Sequence, residues 1–421
     1  MIKNIVYQHK IEKENLMSKD YIFREKLAYV QKFIDSDLIK IVIGPRRAGK
    51  SVAGFLLLKG REFAYLNFDD ENLLKVKDYD DIIKAIFEIY PNSKFIFFDE
   101  IQNLENWEIF VNKLHRRGYN LILTGSNAKL LSRELATALT GRYIPIEIFP
   151  FSFKEFLDYQ GFSISKENIN PPEVHGKLLN YLEKYLTDGG FPEVVVKKLD
   201  AQIYLETLSN SILFKDVVKR YNVRYSQKIY DLNNYLRSNV TSEYSFLKLK
   251  NILGFRSTVT LQNYLSYLEE AFLIFTLNRF SFKMKEQIKA PKKVYLVDNG
   301  FFWQISSRFS FDFGKLIENS VFVEILRRNF KPNNDFFFYK TGSGKEVDFV
   351  IKKAFKVEQL IQVCYRIDDL RTKEREIKAL IEAGRELDCK NLIVLCWDYE
   401  AEDVFKGEKI KFIPLWKWLL Q

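Results

Sequence analysis

Eight residues around position 50 combine glycines, a lysine and a hydroxyl in a spacing that suits phosphate chemistry. They are Gly44-Pro45-Arg46-Arg47-Ala48-Gly49-Lys50-Ser51, which match the pattern GxxxxGK(S/T) and directly follow the apolar run LIKIVI. Backbone N–H groups of such a loop, with Val52 in the first helical turn, form an anion site where a helix begins. Lys50 is expected to reach the β- and γ-phosphates, and the Ser51 hydroxyl to ligate magnesium. The motif therefore predicts a site for ATP and Mg²⁺, against the alternative of a plain glycine turn.

Two adjacent carboxylates, Asp99 and Glu100, end the apolar run FIFF. At the carboxyl edge of a parallel sheet, Asp99 would lie beside the phosphate loop and support the magnesium ion. Glu100 is then placed to orient and polarise the attacking water. The pair is typical of ATPases with a catalytic glutamate, and no NKxD-like motif follows. We therefore favour ATP over GTP, and regard two solvated acids at a strand end as the weaker interpretation.

A third group of polar residues follows the run LILT. Thr124, Ser126 and Asn127 are each eligible to hydrogen-bond the γ-phosphate or the attacking water, and a polar turn is an equal alternative for any one of them. Two arginines follow, Arg133 and Arg142. Either is a candidate arginine finger that neutralises transition-state charge, and we favour Arg142. The alternative for each arginine is an ordinary salt bridge.

The elements that position these residues are short apolar strands alternating with amphipathic helices. The runs lie at Leu38–Ile43, Phe63–Phe68, Lys94–Phe98, Asn120–Thr124 and Ile144–Phe149. Nearly continuous apolar strands separated by helices indicate a parallel sheet covered on both faces. We therefore predict an α/β fold with a five-stranded parallel sheet that presents the three motifs at one edge.

A helix-turn-helix pattern lies within a basic part of the chain. Residues 201–300 contain 15 basic and 8 acidic residues, and the whole chain has a net charge of +10. The pattern predicts helices at Phe246–Leu253 and Ser257–Ala271 and a strand at Phe272–Leu277, as in a winged helix. Double-stranded DNA is the predicted partner, although the second helix is polar rather than basic, and a packing module is the alternative. The candidate DNA contacts are Lys248, Lys250, Arg256, Thr258, Lys283 and Lys285.

Composition narrows the classes of protein that this chain can belong to. The 421 residues contain no apolar run long enough to span a membrane, and the first twenty residues lack a secretory signal pattern. We therefore expect a cytoplasmic location. The three cysteines, none in a CxxC pair, and three widely separated histidines argue against a disulfide framework and a zinc site.

Several motifs, in order, resemble the archaeal and bacterial AAA-type ATPases. They are IVIGPRRAGKS, FIFFDEIQN, LILTGSN, LTGRYIPIEIFPFSFKEFL, DGGFPEVV, LQNYLSYLEEAFLIFTL, KAPKKVYLVDNGFF, KLIENSVFVEILRR and YKTGSGKEVDFVI. The resemblance covers nearly the whole chain. It implies an ASCE-type P-loop core, a winged helix, and a C-terminal domain similar to the PD-(D/E)XK nucleases.

That last domain departs from the nuclease pattern. Glu318 and Asp348 match the first two acidic positions, which gather a divalent metal. Gln362 stands where the strand glutamate belongs and Cys364 where the lysine belongs. Glu358 is a possible substitute for the glutamate, but no lysine is found for the last position. We therefore expect a retained fold without nuclease chemistry.

The sequence thus predicts a Mg²⁺-dependent ATPase coupled to a macromolecular partner, DNA before protein. The alternatives are a nucleotide-switched protein-interaction scaffold with slow turnover and, less favoured, an ATP-controlled metal-dependent nuclease. An oligomer is possible. The predicted divisions are an ATPase domain at residues 1–155, a helical linker at 156–240, a winged helix at 241–300 and the nuclease-like domain at 301–421.

Overall fold

The chain forms two compact units, residues 1–151 and 152–421. This computed structural model describes residues 2–126, 139, 141–163, 171–302, 312–366 and 370–421. Within those ranges, no helix has both the length and the apolar character needed to cross a membrane. The finer division into four domains stays a prediction.

The first unit is built around a five-stranded parallel sheet, as the sequence predicts. Its strands are β1 (Ile39–Ile43), β2 (Phe63–Asn67), β3 (Phe95–Asp99), β4 (Asn120–Gly125) and β5 (Tyr143–Glu147). The strand order is β2-β3-β4-β1-β5. Strands β3, β4 and β1 are parallel neighbours in the sheet. The segments that follow them therefore leave the sheet at the same edge. This is where the three polar motifs lie.

Helices cover both faces of this sheet. They are α1 (Ile2–Met17), α2 (Glu25–Val30), α3 (Lys50–Leu57), α4 (Glu71–Leu74), α5 (Tyr79–Ile89) and α6 (Trp107–Arg116), with short 3₁₀ turns at Gln31–Phe33 and Ile101–Asn103. Successive strand side chains point to opposite faces. Accordingly, Phe97 packs on Phe55 of α3 with ring centroids 5.2 Å apart, and Phe98 packs on Phe110 of α6 at 5.3 Å. The first four residues of β3 are therefore all apolar, because the strand is covered on both faces.

The second unit opens with helices. These are α7 (Phe153–Tyr159), α8 (Pro172–Asp188), α9 (Pro192–Lys197), α10 (Ala201–Ser211), a π-helical segment at Ile212–Lys219 and α11 (Ser226–Ser238). A three-stranded antiparallel sheet follows, in the order β6-β8-β7, from β6 (Glu243–Tyr244), β7 (Ile274–Asn278) and β8 (Lys292–Leu296). Between β6 and β7 lie α12 (Phe246–Leu253) and α13 (Thr258–Glu270), and α14 (Met284–Lys289) precedes β8.

The two helices predicted at 246–271 are delimited by local capping interactions. The Ser245 hydroxyl accepts from the Lys248 N–H, and the Ser257 hydroxyl accepts from the Val259 N–H. Gly254 ends α12 with φ 63°, a left-handed conformation that glycine adopts without a steric penalty. Ser245 therefore sets the start of α12, and Gly254 and Ser257 set the turn between the two helices.

The rest of the second unit is a mixed α/β layer. Its strands are β9 (Phe336–Lys340), β10 (Glu346–Lys353), β11 (Lys356–Cys364), β12 (Leu392–Cys396), β13 (Ala401–Phe405) and β14 (Glu408–Pro414), in the order β13-β14-β12-β11-β10-β9. Strands β11, β12 and β14 are parallel, whereas the β9, β10 and β13 pairings are antiparallel. The helices are α15 (Phe313–Arg327), α16 (Leu370–Glu386) and α17 (Leu415–Leu419). In chain order this layer is a helix, three strands, a charged helix, three further strands and a short helix.

Candidate nucleotide site

The phosphate loop joins β1 to α3, and its first and last glycines are sterically required. Gly49 has φ 91° immediately before Lys50, the first residue of the helix. Gly44 has φ 146°, and a Cβ atom there would lie 2.0 Å from the Ile148 carbonyl oxygen. No side chain fits between these two backbone segments. The loop thus places its backbone N–H groups at a helix N-terminus, where an anion is stabilised.

Lys50 is buried in the loop, with 4% of its surface exposed. Its ammonium donates to the Pro45 carbonyl oxygen over 3.2 Å and lies 3.8 Å from a carboxylate oxygen of Glu100. The lysine is thus held between the loop and the second predicted motif. An ammonium in this position is available to a phosphate bound in the loop.

Arg24, immediately before α2, donates hydrogen bonds to the same loop and to the segment after β5. Its guanidinium donates to the Ala48 carbonyl oxygen over 2.8 Å and to the Phe149 carbonyl oxygen over 2.5 Å, and the residue is 4% exposed. One charged side chain therefore ties the phosphate loop to the segment that follows β5. Hydrogen bonds from a charged donor are stronger than neutral ones.

Asp99 lies beside the hydroxyl of Ser51 at the end of β3. One carboxylate oxygen accepts from Ser51 over 2.9 Å and also from Thr124, and the other accepts from the Tyr65 hydroxyl over 3.2 Å. Burial and the neighbouring Glu100 raise the pKa of Asp99 to about 6. A buried carboxylate next to a serine hydroxyl is an oxygen donor set that suits Mg²⁺, so these residues fit the ion that the motif implies.

Glu100 occupies a left-handed backbone conformation with φ 51°. One oxygen of its carboxylate accepts hydrogen bonds from the Ser126 hydroxyl, over 2.7 Å, and from the Gln102 amide. Burial alone would raise the pKa of Glu100, but the Lys50 ammonium and these two donors hold it below the ordinary value. Glu100 is therefore ionised at neutral pH, as a general base must be.

Thr124 and Ser126, at the carboxyl end of β4, contact different carboxylates of the acid pair. Thr124 contacts Asp99 and also accepts from the Glu100 N–H over 2.9 Å, while Ser126 contacts the Glu100 side chain. The candidates Asn127 and Arg133 lie outside the described residues. Gln102 was not among the predicted residues, because a glutamine two positions after the acid pair carries no motif of its own.

Arg142 is not brought to this site. It immediately precedes β5, whose first residue Tyr143 pairs with Ile39 at the amino end of β1. The phosphate loop follows the opposite end of β1, about 16 Å away for a five-residue strand. Because an arginine side chain cannot bridge that length, Arg142 as a finger within its own chain is wrong, and a role towards a neighbouring chain stays a prediction.

The candidate DNA contacts are spread over three elements of the second unit. Lys248 and Lys250 lie on α12, and Thr258 opens α13. Arg256, Lys283 and Lys285 have exposed side chains. A cavity of about 350 Å³ lies beside the helix-turn-helix, lined by Tyr225, Lys228, Gly254, Phe255, Arg256, Ser257, Thr260 and Tyr264. The predicted helices are confirmed, whereas DNA contact stays a prediction.

The nuclease-like candidates meet only in part. Glu318 on α15 and Asp348 on β10 both contact the ammonium of Lys293. The Gln362 side chain accepts from the Asp348 N–H over 3.4 Å and donates to Glu376 over 2.7 Å, but it does not contact Lys293. The Cys364 thiol donates to the Arg366 carbonyl oxygen over 3.1 Å.

Two residues that the sequence analysis missed complete this cluster. Glu358, the possible substitute, is exposed, and the third carboxylate is Glu346. Cys364 leaves the last nuclease position without a lysine, but Lys293 reaches these acids from β8, which the sequence analysis did not foresee. The signal for Glu346 was its spacing, since residues two apart on a strand share a face.

Comparisons with known proteins place the predicted ATPase region in a recognised domain family. Residues 36–157 match the family model described as an AAA domain. Residues 179–311 and 313–418 match two separate models, each described as a domain of unknown function. The nuclease-like character of the C-terminal domain is therefore not part of what the family models describe.

Two relatives match over nearly their whole lengths. The uncharacterized protein MJ1544 of Methanocaldococcus jannaschii is 36% identical, over 100% of this chain and 98% of the relative. An uncharacterized protein of Haemophilus influenzae is 32% identical, over 96% of this chain and 100% of the relative.

Two solved structures are similar at low sequence identity. The Walker-type ATPase PABY2304 of Pyrococcus abyssi is 14% identical, covers 68% of this chain and 97% of its own, and has a TM-score of 0.42. The Aeropyrum pernix ORC1 protein, solved in complex with DNA, is 10% identical over 69% of this chain and 95% of its own, with a TM-score of 0.32. The full-length relatives and the family-model match together identify the family: this chain belongs to one family with the M. jannaschii and H. influenzae proteins, and its residues 36–157 form an AAA domain.

Proposed function

We propose that the chain is a Mg²⁺-dependent ATPase that couples ATP hydrolysis to a macromolecular partner. The observation that carries this proposal is the convergence of three motifs at one sheet edge. Lys50 lies 3.8 Å from Glu100, and Ser51 lies 2.9 Å from Asp99. The phosphate-binding, metal-binding and water-activating groups of an ATPase are thus within one site.

Each residue has a chemical task in this proposal. The loop backbone and Lys50 bind the β- and γ-phosphates, and Ser51 and Asp99 hold the metal. Mg²⁺, when bound, neutralises charge that develops on the phosphate oxygens. Glu100 accepts a proton from the attacking water, because its carboxylate is ionised and is held in place by Ser126 and Gln102.

Double-stranded DNA is the partner that we propose. The support is the order of α11, β6, α12, α13, β7 and β8, which is that of a winged helix with the short helix α14 between β7 and β8. The excess of basic residues between positions 201 and 300 is the second support. Exposed Lys248 and Arg256 would contact phosphates, and Thr258 would face the groove from the start of α13. Such contacts make binding strongly salt-dependent.

Phosphate release from ATP tests the ATPase. Lys50→Ala should lower turnover about 100-fold or more, because it removes the only lysine of the motif, and Glu100→Gln should lower it by a similar factor while ATP still binds. Lys59→Ala and Glu105→Gln are matched controls, since both residues are exposed and lie outside the three motifs. Unchanged turnover in Glu100→Gln would contradict the proposed base.

The same assay with duplex DNA tests the partner. We expect DNA to raise wild-type turnover several-fold at low salt, and the double change Lys248→Ala, Arg256→Ala to reduce that increment. The double change Lys59→Ala, Lys75→Ala is the matched control, because it also removes two exposed positive charges. Slow turnover that DNA does not change, with retained ATP binding, would favour a nucleotide-switched protein-interaction scaffold instead.

A further inference from the structure

A buried lysine lies at the centre of the acidic cluster in the second unit. The Lys293 ammonium is 2.9 Å from a Glu318 oxygen, 2.7 Å from a Glu346 oxygen and 3.2 Å from an Asp348 oxygen. The Lys293 side chain is only 2% exposed, and that of Asp348 is 8% exposed. The cluster therefore joins β8 of the three-stranded sheet to α15 and β10.

The ammonium of Lys293 contacts a carboxylate on three sides. It donates hydrogen bonds to Glu318 and Asp348, and its contact with Glu346 is an ion pair. The same Glu318 oxygen also accepts from the Tyr295 hydroxyl over 2.8 Å, and the second Asp348 oxygen accepts from the Val363 N–H over 2.9 Å. Further partners thus fix the orientation of the acids around the lysine.

Electrostatics keep this lysine charged. Burial alone would lower the pKa of Lys293, but the surrounding carboxylates, with Glu318 foremost, raise it well above the ordinary value. Removing the lysine would leave carboxylates buried without a counter-charge, which is strongly unfavourable. The cluster therefore requires a cation, and the chain supplies one.

A divalent metal does not fit the cluster as it is built. Mg²⁺ binds oxygen at about 2.0–2.1 Å and keeps several waters, whereas these oxygens surround an ammonium at hydrogen-bond distances. Gln362 is bonded to Glu376 and offers no carboxylate. Across the described residues, no group of three His, Cys, Asp or Glu side chains has an arrangement that could hold a metal ion.

We propose that Lys293 is the permanent cation of this cluster. Its ammonium excludes divalent metal ions and holds the three-stranded sheet to the C-terminal α/β layer. The ion cluster is a structural joint, and metal-dependent strand cleavage has no site here. This inference is independent of ATP hydrolysis, because none of its residues belongs to the phosphate loop or the acid pair.

Manganese binding by the full chain tests the proposal. The titration is followed by electron paramagnetic resonance without nucleotide, in an Asp99→Asn background that removes the other metal-binding carboxylate. We expect no stoichiometric Mn²⁺ site that depends on Asp348. A Mn²⁺ site that Asp348→Asn abolishes, or plasmid cleavage with Mn²⁺ that Asp348→Ala abolishes, would overturn the proposal.

Removal of the lysine provides the complementary result. Lys293→Ala should melt at a lower temperature than wild type and regain about 5 °C or more with saturating Mn²⁺, because the metal then replaces the lost charge. All of these proteins carry Asp99→Asn, as in the titration. The Asp99→Asn protein itself, and the variant that combines Lys293→Ala with Asp348→Asn in this background, should show no such rise. If Lys293→Ala does not accumulate as folded protein, Lys293→Gln is compared in the same way, since its amide still donates hydrogen bonds. Absence of a Mn²⁺-dependent rise in the lysine variant would also overturn the proposal.

Discussion

At the scale of single residues, the position of one carboxylate decides the chemistry of the site. Glu100 lies in a left-handed backbone conformation immediately after β3, so its side chain leaves the direction of the strand. Ser126 and Gln102 both donate to the same oxygen of the carboxylate. The other oxygen is 3.8 Å from Lys50 and faces the loop that would hold phosphate.

Ser126→Ala should lower kcat for ATP hydrolysis about tenfold with little change in KM. The reason is that one hydrogen bond to a charged group, worth about 1.5 kcal/mol, no longer orients Glu100. Loss of this donor destabilises the ionised form, so the pKa of Glu100 rises and the acidic limb of the kcat profile moves to higher pH. Steady-state phosphate release across a pH series measures both effects.

Ser126→Thr is the matched control, because it keeps the hydroxyl. It should retain most of the kcat and the wild-type pH profile. An equal loss in both variants, or a lower kcat with an unmoved acidic limb, would show that Ser126 does not position Glu100.

At the scale of elements, the phosphate loop depends on a helix that its motif does not include. Arg24 at the start of α2 reaches both Ala48 in the loop and Phe149 after β5. Gly44 closes against the same segment, since its backbone allows no side chain beside Ile148. The anion site is therefore shaped by three separate stretches of chain.

Arg24→Ala should weaken ATP binding about tenfold, because the loop loses the charge-assisted hydrogen bond to Ala48 and, with the bond to Phe149, its link to the segment after β5. Calorimetric titration with ATP and Mg²⁺ measures the affinity. Arg61→Ala is the control, since the Arg61–Asp35 pair is more exposed and should contribute little. Equal affinities in wild type and Arg24→Ala would show that Arg24 does not hold the phosphate loop in its ATP-binding conformation.

At the scale of the whole molecule, the chain consists of two compact units, and each has its own cluster of charged residues. The first unit holds the nucleotide site, and the second holds the Lys293 cluster. Units with separate hydrophobic cores unfold as separate cooperative transitions unless their interface is extensive. Ligands and mutations should therefore act on one unit at a time.

Scanning calorimetry should resolve two transitions. A non-hydrolysable ATP analogue with Mg²⁺ should raise the melting temperature of one transition, because it binds only the folded first unit, and Lys50→Ala should abolish that rise. Lys293→Ala should lower the melting temperature of the other transition alone. A single transition that both changes shift together would contradict this division.

The predictable part of the protein consists of local signals. The phosphate loop, the acid pair and the Ser126 turn are each contiguous, and the parallel sheet that unites them follows from apolar strands alternating with helices. The carboxyl ends of parallel strands share one edge of the sheet. A parallel sheet therefore places Lys50, Asp99 and Glu100 at the same edge. The fold class and the core of the site were therefore determined by the sequence itself.

What only the tertiary structure decided concerns contacts between distant segments. Arg142 follows the polar turn after β4 in the sequence, but it lies at the amino end of β5. The phosphate loop lies at the opposite edge of the parallel sheet. Lys293 and Glu318 are 25 positions apart and meet only because β8 packs beside α15 and β10. Buried charges select partners by proximity in the folded chain rather than by spacing along it. For that reason the sequence predicts that a nuclease-like site is incomplete, but only the packing shows that a lysine completes it as an ion cluster.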